Sequence, residues 1–289
     1  MIIVVVGPTG VGKTKLSVEL AKKYNGIIIN ADAMQVYKEM NIATAKIKEE
    51  EKEGVPHFLF DICDLNDVYT IYNYQKDARK IIDENIDKTI IMVGGSGLYQ
   101  KAALYDYKLD EESSNLNTYD DLSNEELYNL ALKKDPKMDI HINNRKRLIR
   151  FLNKEGITSK TDKLVYENVI FIGLTTDREN LYNIINKRVD KMVEEGLIEE
   201  AKYFYDKKVK CKALDTVIGY KELFKYFDGK LSKEEALDLI KQNSRHYAKR
   251  QYTWYNHQLP VNWLETNYNN FSETVEKAIK LIEEKRTDL

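Results

Sequence analysis

An octet with the residue types needed to hold phosphate groups begins at Gly7. Residues 7–14 read Gly-Pro-Thr-Gly-Val-Gly-Lys-Thr and match the pattern G-x-x-x-x-G-K-[ST] at every fixed position. The glycines allow the backbone to fold into a concave nest of N–H groups, and the lysine adds a positive charge. The threonine hydroxyl is placed to ligate a Mg²⁺ ion held by the phosphates. The spacing predicts a site for a di- or triphosphate, with contacts from Gly7, Thr9, Gly10, Val11, Gly12, Lys13 and Thr14.

Two more polar positions follow predicted strands. Ile27–Asn30 reads as a buried strand with Asp32 just after it, and Thr89–Val93 runs into Gly94-Gly95-Ser96-Gly97. Because the ends of adjacent parallel strands meet on the ligand face of a sheet, Asp32 is expected near the phosphate loop. An ordinary cap aspartate and an ordinary glycine-rich turn would fit the same residues. A Walker-type ATPase normally has an acid after such a strand to hold Mg²⁺, whereas this chain has glycines and a hydroxyl.

Hydrophobic patterning predicts the elements that must position these residues. Met1–Val6 is a short apolar run typical of a buried strand, and apolar residues at helical spacing follow the octet. Further strands are expected at Val169–Leu174 and Val261–Leu264, with helices around them. This alternation predicts an α/β fold, with a P-loop NTPase-like parallel sheet flanked by helices. Residues 1–105 and 166–289 are expected to form this catalytic core.

Residues 106–165 read as a small, all-helical insertion. They are polar, and a capping box at Ser123 and Glu126 opens one predicted helix. A basic helix is expected from Arg145 to Lys154, ended by Gly156. Its apolar residues give it one packed side and leave its arginines free, although a solvated face is the default interpretation of such a charge run.

Composition limits the classes of protein and the compartment. The chain has 289 residues, 43% of them hydrophobic and 32% charged, and no apolar run approaches the roughly 18 residues that span a bilayer. Cys63 and Cys211 are isolated and have no metal-ligand spacing. We therefore expect a cytoplasmic protein in a reducing setting, with no membrane association.

Positive charge is concentrated in two stretches although the net charge is −2, which argues against a general nucleic-acid binder. One is the basic helix of the insertion, which contains no acid. The other runs from Leu239 to Leu264, which also lacks acids and includes Lys241, Arg245, Lys249 and Arg250. Any polyanion is therefore expected to bind at these stretches.

Several motifs together resemble those of the tRNA dimethylallyltransferase family, also called tRNA isopentenyltransferases. The most specific set is Asp32 with Gln35-Val36-Tyr37, IGYKEL at 218–223 and YAKRQ-x-TW at 247–254. The resemblance covers nearly the whole chain apart from 105–140, through GPTGVGKT at 7–14, NADAMQVYKEMNIATAK at 30–46, PHFLFDI at 56–62, GGSGLYQKA at 94–102, KRLIR at 146–150, INKRVDKMVEEGLIEE at 185–200 and SRHYAKRQYTW at 244–254. The insertion is short and the chain ends without the zinc-binding extension of eukaryotic members, so a bacterial-type enzyme is implied.

The resemblance implies a transferase and its reaction. Dimethylallyl diphosphate would donate its prenyl group to N6 of the adenosine 3′-adjacent to the tRNA anticodon, position 37, and diphosphate would leave. The phosphate loop, Lys13 and Mg²⁺ would then stabilise a leaving diphosphate. Asp32 matches the family's catalytic base, and Ser96 matches a position that is usually Thr and would position the acceptor or the diphosphate. Arg188 matches an arginine that could reach the diphosphate, and a surface ion pair is its alternative role.

The resemblance also implies contacts with the anticodon stem-loop of tRNA. The target adenosine must leave its stacked loop to reach the pocket. The matching segments and candidates are Asp32, Ala33, Met34, Gln35, Ser96, Lys146, Arg147, Leu148, Ile149, Arg150, Thr216, Gly219, Tyr220, Lys221, Arg245, Lys249 and Arg250. Ala33 stands where the family often has Ser, which could weaken an acceptor contact. We expect the enzyme to act as a monomer.

Two alternative functions remain open at this point. A small-molecule P-loop kinase would share the octet, the acid after the second strand and the glycine-rich third strand end, so residues 1–104 alone do not exclude it. The motifs IGYKEL and YAKRQ-x-TW argue against it, because kinase chemistry does not require them. The other alternative is a non-catalytic RNA-binding module that retains the loop as a nucleotide switch.

Overall fold

A six-stranded parallel sheet forms the centre of the protein. The computed structural model describes residues 1–110, 117–153 and 156–287. The sheet has the strand order β3-β2-β4-β1-β7-β8, and every pairing in it is parallel. In chain order, the described strands are β1 Ile2–Val6, β2 Ile27–Asn30, β3 His57–Phe58, β4 Ile90–Val93, β5 Tyr105–Asp110, β6 Gly156–Leu164, β7 Val169–Thr175 and β8 Asn262–Glu265.

Helices cover both faces of this sheet, so β1, β2 and β4 are buried along their whole length. The described α-helices are α1 Lys13–Lys23, α2 Ile71–Glu84, α3 Gly97–Leu104, α4 Asn124–Lys134, α5 Arg145–Asn153, α6 Arg178–Glu194, α7 Leu197–Asp206, α8 Lys212–Thr216, α9 Tyr220–Phe227, α10 Lys233–Gln258 and α11 Phe271–Thr287. On one face, α1 and α11 pack over a core that includes Leu16 and Ile282. On the other face, α2, α3 and the C-terminal part of α10 enclose Tyr74, Ala102 and Tyr255. The predicted α/β fold with a helix-flanked parallel sheet is confirmed.

Strand register brings the predicted site residues to one edge of the sheet. Ile2 pairs with Ile90, and Ile90 pairs with Ile27, so β1, β4 and β2 are aligned side by side. Their carboxyl ends therefore lie at the same edge, and the phosphate loop, Asp32 and Ser96 all follow these ends.

Local capping fixes where several helices begin. Thr70, Ser123 and Ser232 each cap a helix through the side-chain oxygen, which accepts a hydrogen bond from the backbone N–H three residues later. In each case the side chain of that third residue accepts a bond from the cap backbone N–H, which completes a capping box. Each such cap stabilises its helix by about 0.5–2 kcal/mol.

The insertion differs from the prediction that it is helical throughout. Helices α4 and α5 pack around their own core of Leu127, Ala131, Ile140 and Leu148. However, β5 and β6 form an antiparallel two-stranded ribbon at its base, in which Tyr105 pairs with Leu164. The apolar residues Tyr105, Tyr107 and Leu109 alternate with polar ones, which is the period of a strand. The all-helical prediction is wrong on this point, because so short an alternation is a weak signal within a polar segment.

Within the described residues, no helix combines the length and apolarity needed to cross a membrane.

Candidate active site

The phosphate loop between β1 and α1 has the backbone that its glycines predict. Gly7 and Gly12 have φ angles of 139° and 90°, in the region that favours glycine. A Cβ atom on Gly7 would lie 2.5 Å from the carbonyl oxygen of Leu174, and one on Gly12 would lie 2.6 Å from Cε2 of Phe271. Side chains are therefore excluded from both positions, and the loop is fixed between β7 and α11.

Lys13 directs its ammonium group into the loop. Its Nζ atom donates a hydrogen bond of 2.8 Å to the carbonyl oxygen of Pro8. Burial lowers the pKa of Lys13 to about 7, with a further lowering by the nearby Arg188 guanidinium, while Asp32 opposes the shift. The loop thus contains positive groups in a desolvated setting, which favours a bound anion.

Arg188 on α6 also reaches the phosphate loop. Its Nη1 atom donates a hydrogen bond of 2.6 Å to the hydroxyl oxygen of Thr9. Burial lowers the pKa of this arginine, and the charge of Asp32 opposes that effect. Its hydrogen-bond partner is therefore a loop hydroxyl rather than a surface carboxylate, which suits a contact with diphosphate.

Asp32 is held by backbone groups just beyond β2. Its Oδ1 atom accepts a hydrogen bond of 2.9 Å from the N–H of Met34, and its own N–H donates to Oδ1 of Asn30 at 2.9 Å. The Oδ2 atom lies only 2.9 Å from where a Cβ on Gly95 would be. The carboxylate therefore faces the glycine-rich turn after β4.

The turns after β2 and β4 are joined to each other. The Ser96 N–H donates to the carbonyl oxygen of Ala31 at 2.9 Å, and Oγ of Ser96 accepts from the N–H of Ala33 at 3.0 Å. A Cβ on Gly94 would lie 2.1 Å from the carbonyl carbon of Ala31, so the two backbones are in direct contact. The Ser96 hydroxyl can still donate its proton to a ligand, because it only accepts in the bond with Ala33.

Helix α10 supplies a residue that the sequence did not single out. Gln251 is 6% exposed, and its Oε1 atom accepts a hydrogen bond of 3.0 Å from the N–H of Thr9. Its Nε2 atom donates to the carbonyl oxygen of Gly95 at 3.1 Å, and Tyr255 donates to that of Gly94 at 3.1 Å. Gln251 therefore links the phosphate loop to the turn that Asp32 faces. The motif YAKRQ-x-TW, which contains it, was the available signal.

The predicted tRNA-binding residues of the insertion divide by exposure. Lys146, Arg147 and Arg150 lie on α5, and all three are exposed. Leu148 lies in the core of the insertion, so its side chain has no surface to offer an RNA, and Ile149 is half-buried. The three cations are therefore the side chains of this segment that suit an RNA contact.

One of the predicted contacts at 216–221, Tyr220, binds the Glu200 carboxylate, which also holds the turn at 42–43. Tyr220 is buried, and its hydroxyl donates to Oε1 of Glu200 at 2.7 Å. Glu200 also accepts from the N–H groups of Ile42 and Ala43. Thr216 is exposed and Lys221 is half-buried, so these two side chains are more accessible than Tyr220. Gly219 is buried and caps the start of α9.

Arg245 lies against α6 rather than extending freely from α10. Its Nη1 atom donates to Oδ1 of Asn186 at 2.6 Å, and its guanidinium lies 5.7 Å from the ring centroid of Tyr182. Arg178 lies 5.1 Å from the same centroid. Arg245 is therefore positioned by α6, whereas Lys249 and Arg250, further along α10, are exposed.

The residues that follow Asp32 are partly accessible. Ala33, Met34 and Gln35 are half-buried, as Asp32 itself is. The Gln35 amide donates to the carbonyl oxygens of Thr44 and Ala45. This segment can therefore meet a ligand at the site while its backbone stays fixed.

No group of three or more His, Cys, Asp or Glu side chains that could hold a metal ion occurs in the described part of the chain. Thr14 is in the first turn of α1, beside the loop. Because Mg²⁺ keeps several waters and binds substrate phosphates, the Thr14 hydroxyl beside the phosphate nest suits one ligand position of such an ion.

Comparison with known proteins identifies the family. A family model described as IPP transferase matches residues 35–258. The tRNA dimethylallyltransferase of Anoxybacillus flavithermus is 45% identical, over 98% of this chain and 96% of that protein. The one from Bacillus subtilis is 43% identical, over 91% of this chain and 90% of that protein. This chain belongs to the tRNA dimethylallyltransferase family.

Solved structures of family members agree with this assignment. A tRNA isopentenylpyrophosphate transferase from Bacillus halodurans has a TM-score of 0.75 and 40% identity, covering 99% of this chain and 98% of that one. A eukaryotic dimethylallyltransferase acting on tRNA has a TM-score of 0.79 and 28% identity, covering 91% of this chain and 73% of that one. The predictions of the family and of a transferase are confirmed, and the small-molecule kinase alternative is not supported.

Proposed function

We propose that this member of the tRNA dimethylallyltransferase family transfers the dimethylallyl group of dimethylallyl diphosphate to N6 of adenosine 37 in tRNA and releases diphosphate. The observation that carries the proposal is the convergence of a phosphate nest and a carboxylate. Asp32 faces Gly95, and Gln251 joins Gly95 to Thr9 in the phosphate loop. An acceptor purine beside Asp32 would therefore meet a prenyl donor whose diphosphate lies in the loop.

The donor half of the site suits a departing diphosphate. As the allylic C–O bond breaks, negative charge grows on the diphosphate oxygens. Fixed N–H groups of the loop, Lys13 and Arg188 stabilise that charge more than they stabilise the intact donor, and this difference lowers the barrier. When bound, Mg²⁺ supplies Lewis-acid stabilisation of the same charge, and Thr14 is the residue that would hold it.

The acceptor half must remove a proton from a weak nucleophile. The N6 lone pair of adenine is delocalised into the ring, so the new C–N bond forms as an N6–H proton leaves. Oδ1 of Asp32 already accepts from Met34, and Oδ2 accepts no hydrogen bond from the described residues. Oδ2 is therefore the atom that takes the proton, and such a general base typically contributes about 10²–10⁴-fold to the rate. The Ser96 hydroxyl would hold the purine or the diphosphate by donating to it.

The tRNA is proposed to bind through local positive charge. Adenosine 37 must be extruded from the anticodon loop, which costs unstacking energy that contacts with the rest of the loop and stem offset. The cations Lys146, Arg147 and Arg150 on α5 suit phosphate contacts, and they explain how a chain of net charge −2 can bind RNA. We further propose that the enzyme acts in the cytoplasm as a monomer, and sedimentation equilibrium would test the oligomeric state.

One incubation tests this function. The protein is mixed with unmodified tRNA, Mg²⁺ and either isotopically labelled dimethylallyl diphosphate or labelled ATP. We expect prenyl label in the tRNA, on an adenosine that nuclease digestion maps to position 37. Phosphorylation of a metabolite by ATP, with no prenyl label in the tRNA, would contradict the proposal. RNA binding without any turnover would instead support the non-catalytic alternative.

A further inference from the structure

A groove with a basic and aromatic lining runs along the outer side of α10. It is an open, shallow groove of about 390 Å³, lined by Lys249, Arg250, Thr253, Trp254, His257 and Gln258. These residues form three adjacent pairs spaced four apart, so they share one face of the helix. The groove is therefore an exposed strip of one helix face, which suits contact with part of a larger ligand rather than enclosure of a small one.

The groove adjoins the acceptor side of the proposed active site. A Cβ atom on Gly97 would lie 2.1 Å from Cζ3 of Trp254, so the indole occupies the space beside this glycine. Gly97 directly follows Ser96, which bonds to Ala33. Gln251 precedes Trp254 by about one helical turn and bonds to Gly95. A ligand in the groove would thus lie next to the turn that faces Asp32.

The charge of the groove is complementary to a polyanion. Residues 239–264 contain no acid, and Lys249 and Arg250 are exposed. Neither cation has a carboxylate within salt-bridge distance among the described residues. At the far end, Gln258 accepts from Nζ of Lys101 at 3.3 Å, and this lysine pairs with the exposed Asp162 at 3.2 Å. The acid at that end of the groove is thereby neutralised.

We propose that this groove binds one unpaired nucleotide of the anticodon loop, adjacent to the adenosine that is modified. The proposal rests on the function proposed above. When the target base leaves the stack, its neighbour no longer has that stacking partner, and the Trp254 indole replaces it. Lys249 and Arg250 contact the phosphates of that nucleotide. An aromatic ring flanked by cations is the usual composition of a single-strand RNA site, because bases stack on the ring and phosphates bind the cations. An acidic peptide would bind the cations but has no base to stack on the indole.

Paired changes in the protein and the RNA test this site. Dissociation constants are measured for an anticodon stem-loop RNA and for versions with one abasic site at each loop position. Trp254→Leu keeps apolar packing against Gly97 and is expected to weaken binding of the intact RNA by about 5- to 100-fold. With the RNA that lacks the neighbouring base, the same substitution should change affinity less than about twofold. Independent, additive effects at every loop position would overturn the proposal.

Charge variants give a second readout that does not depend on how Trp254→Leu folds. Lys249→Ala/Arg250→Ala should weaken binding and reduce the slope of log K against log salt by about 1 for each phosphate that is no longer neutralised. The control Lys277→Ala/Lys280→Ala removes the same charge from α11, on the other face of the sheet, and should leave both quantities unchanged. Equal effects from the two pairs of substitutions, or no effect from the first pair, would contradict nucleotide binding in the groove. The groove would then bind another partner, such as an acidic peptide.

Prenyl transfer by the unaltered protein, measured on the same RNA, separates the two proposals. If prenyl transfer occurs but Trp254 is not coupled to any loop base, the nucleotide site in the groove is contradicted and the proposed function is retained. Coupling without transfer retains the nucleotide site and removes the proposed reaction.

Discussion

The backbone N–H of Thr9 donates a 3.0 Å hydrogen bond to the Oε1 atom of Gln251, 242 residues away in the chain. The Nε2 atom of the same side chain donates to the carbonyl oxygen of Gly95. One buried amide therefore sets the separation between the loop that would hold the diphosphate and the turn that faces Asp32. Because each part of the site follows a different strand, this bond fixes their relative position where the sheet itself ends.

Replacing Gln251 should lower both stability and turnover. Gln251→Leu leaves the Thr9 N–H without this partner and the Gly95 carbonyl with only the 3.4 Å bond from the Tyr247 hydroxyl, and an unsatisfied buried group costs about 1–3 kcal/mol. Thermal unfolding should shift to lower temperature, and kcat should fall more than KM rises because the two halves are no longer aligned. Gln242→Leu, on the same helix but outside this network, is the matched control and should change neither.

Gln251→Glu tests the hydrogen bond to Gly95 separately from the hydrogen bond with Thr9. A carboxylate can still accept from Thr9, but it cannot donate to Gly95 and it adds a negative charge near Asp32. We expect kcat to fall although the phosphate loop keeps its contact. Full activity in this variant would contradict the role of the Gly95 bond.

Lys13 should make stability depend on pH. Its pKa is about 7 in the folded protein and near the ordinary 10.5 when unfolded, so the unfolded state binds more protons between these values. Stability from this group therefore rises as pH increases from about 7 to about 10. Compared with Lys13→Met, the unaltered protein should gain unfolding free energy across that window, measured by urea denaturation at each pH. Parallel curves for the two proteins would contradict the lowered pKa.

The same lysine should also govern anion affinity. Inorganic pyrophosphate should bind most tightly below the Lys13 pKa of about 7, where the amine is protonated, and less tightly above it. Isothermal titration calorimetry in buffers of different ionisation enthalpy should detect proton uptake on binding near that pKa. In Lys13→Met, both the proton uptake and most prenyl transfer should be absent while tRNA binding remains.

Asp32→Asn tests the general base with little change in shape. The amide oxygen can keep the hydrogen bond from Met34, but the group no longer accepts a proton from N6. We expect kcat to fall about 10²–10⁴-fold with KM for both substrates nearly unchanged. Near-normal turnover would remove Asp32 from this role.

Arg147→Ala/Arg150→Ala should weaken tRNA binding most at low salt. Phosphate contacts release counterions, so removing two of them should reduce the slope of log K against log salt by about 2. The measurement is a filter-binding titration at several salt concentrations. An unchanged slope would mean that α5 presents only a solvated face.

Short sequence patterns predicted the parts of the fold and of the site that depend only on neighbouring residues. The octet at 7–14 predicted its own backbone because glycine spacing determines where the chain can turn, and the capping box at Ser123 predicted the start of α4. Strand β3 has only two residues, His57 and Phe58, which is too short for any periodicity to mark it. Gln251 was missed because its two backbone partners are distant in sequence, and the motif YAKRQ-x-TW marked its segment without indicating these bonds.

Since β1, β2 and β4 run in fixed register, the number of residues in β4 determines the height at which Ser96 stands above the sheet. One inserted residue would raise it by about 3.3 Å, the rise of one strand residue. A shift of that size would break the 3.0 Å hydrogen bond that its Oγ atom accepts from the N–H of Ala33. Strand length therefore matters to the site as well as side-chain identity, and a β4 shortened or lengthened by a single residue would break the bond from Ala33 to Ser96 even with every motif intact.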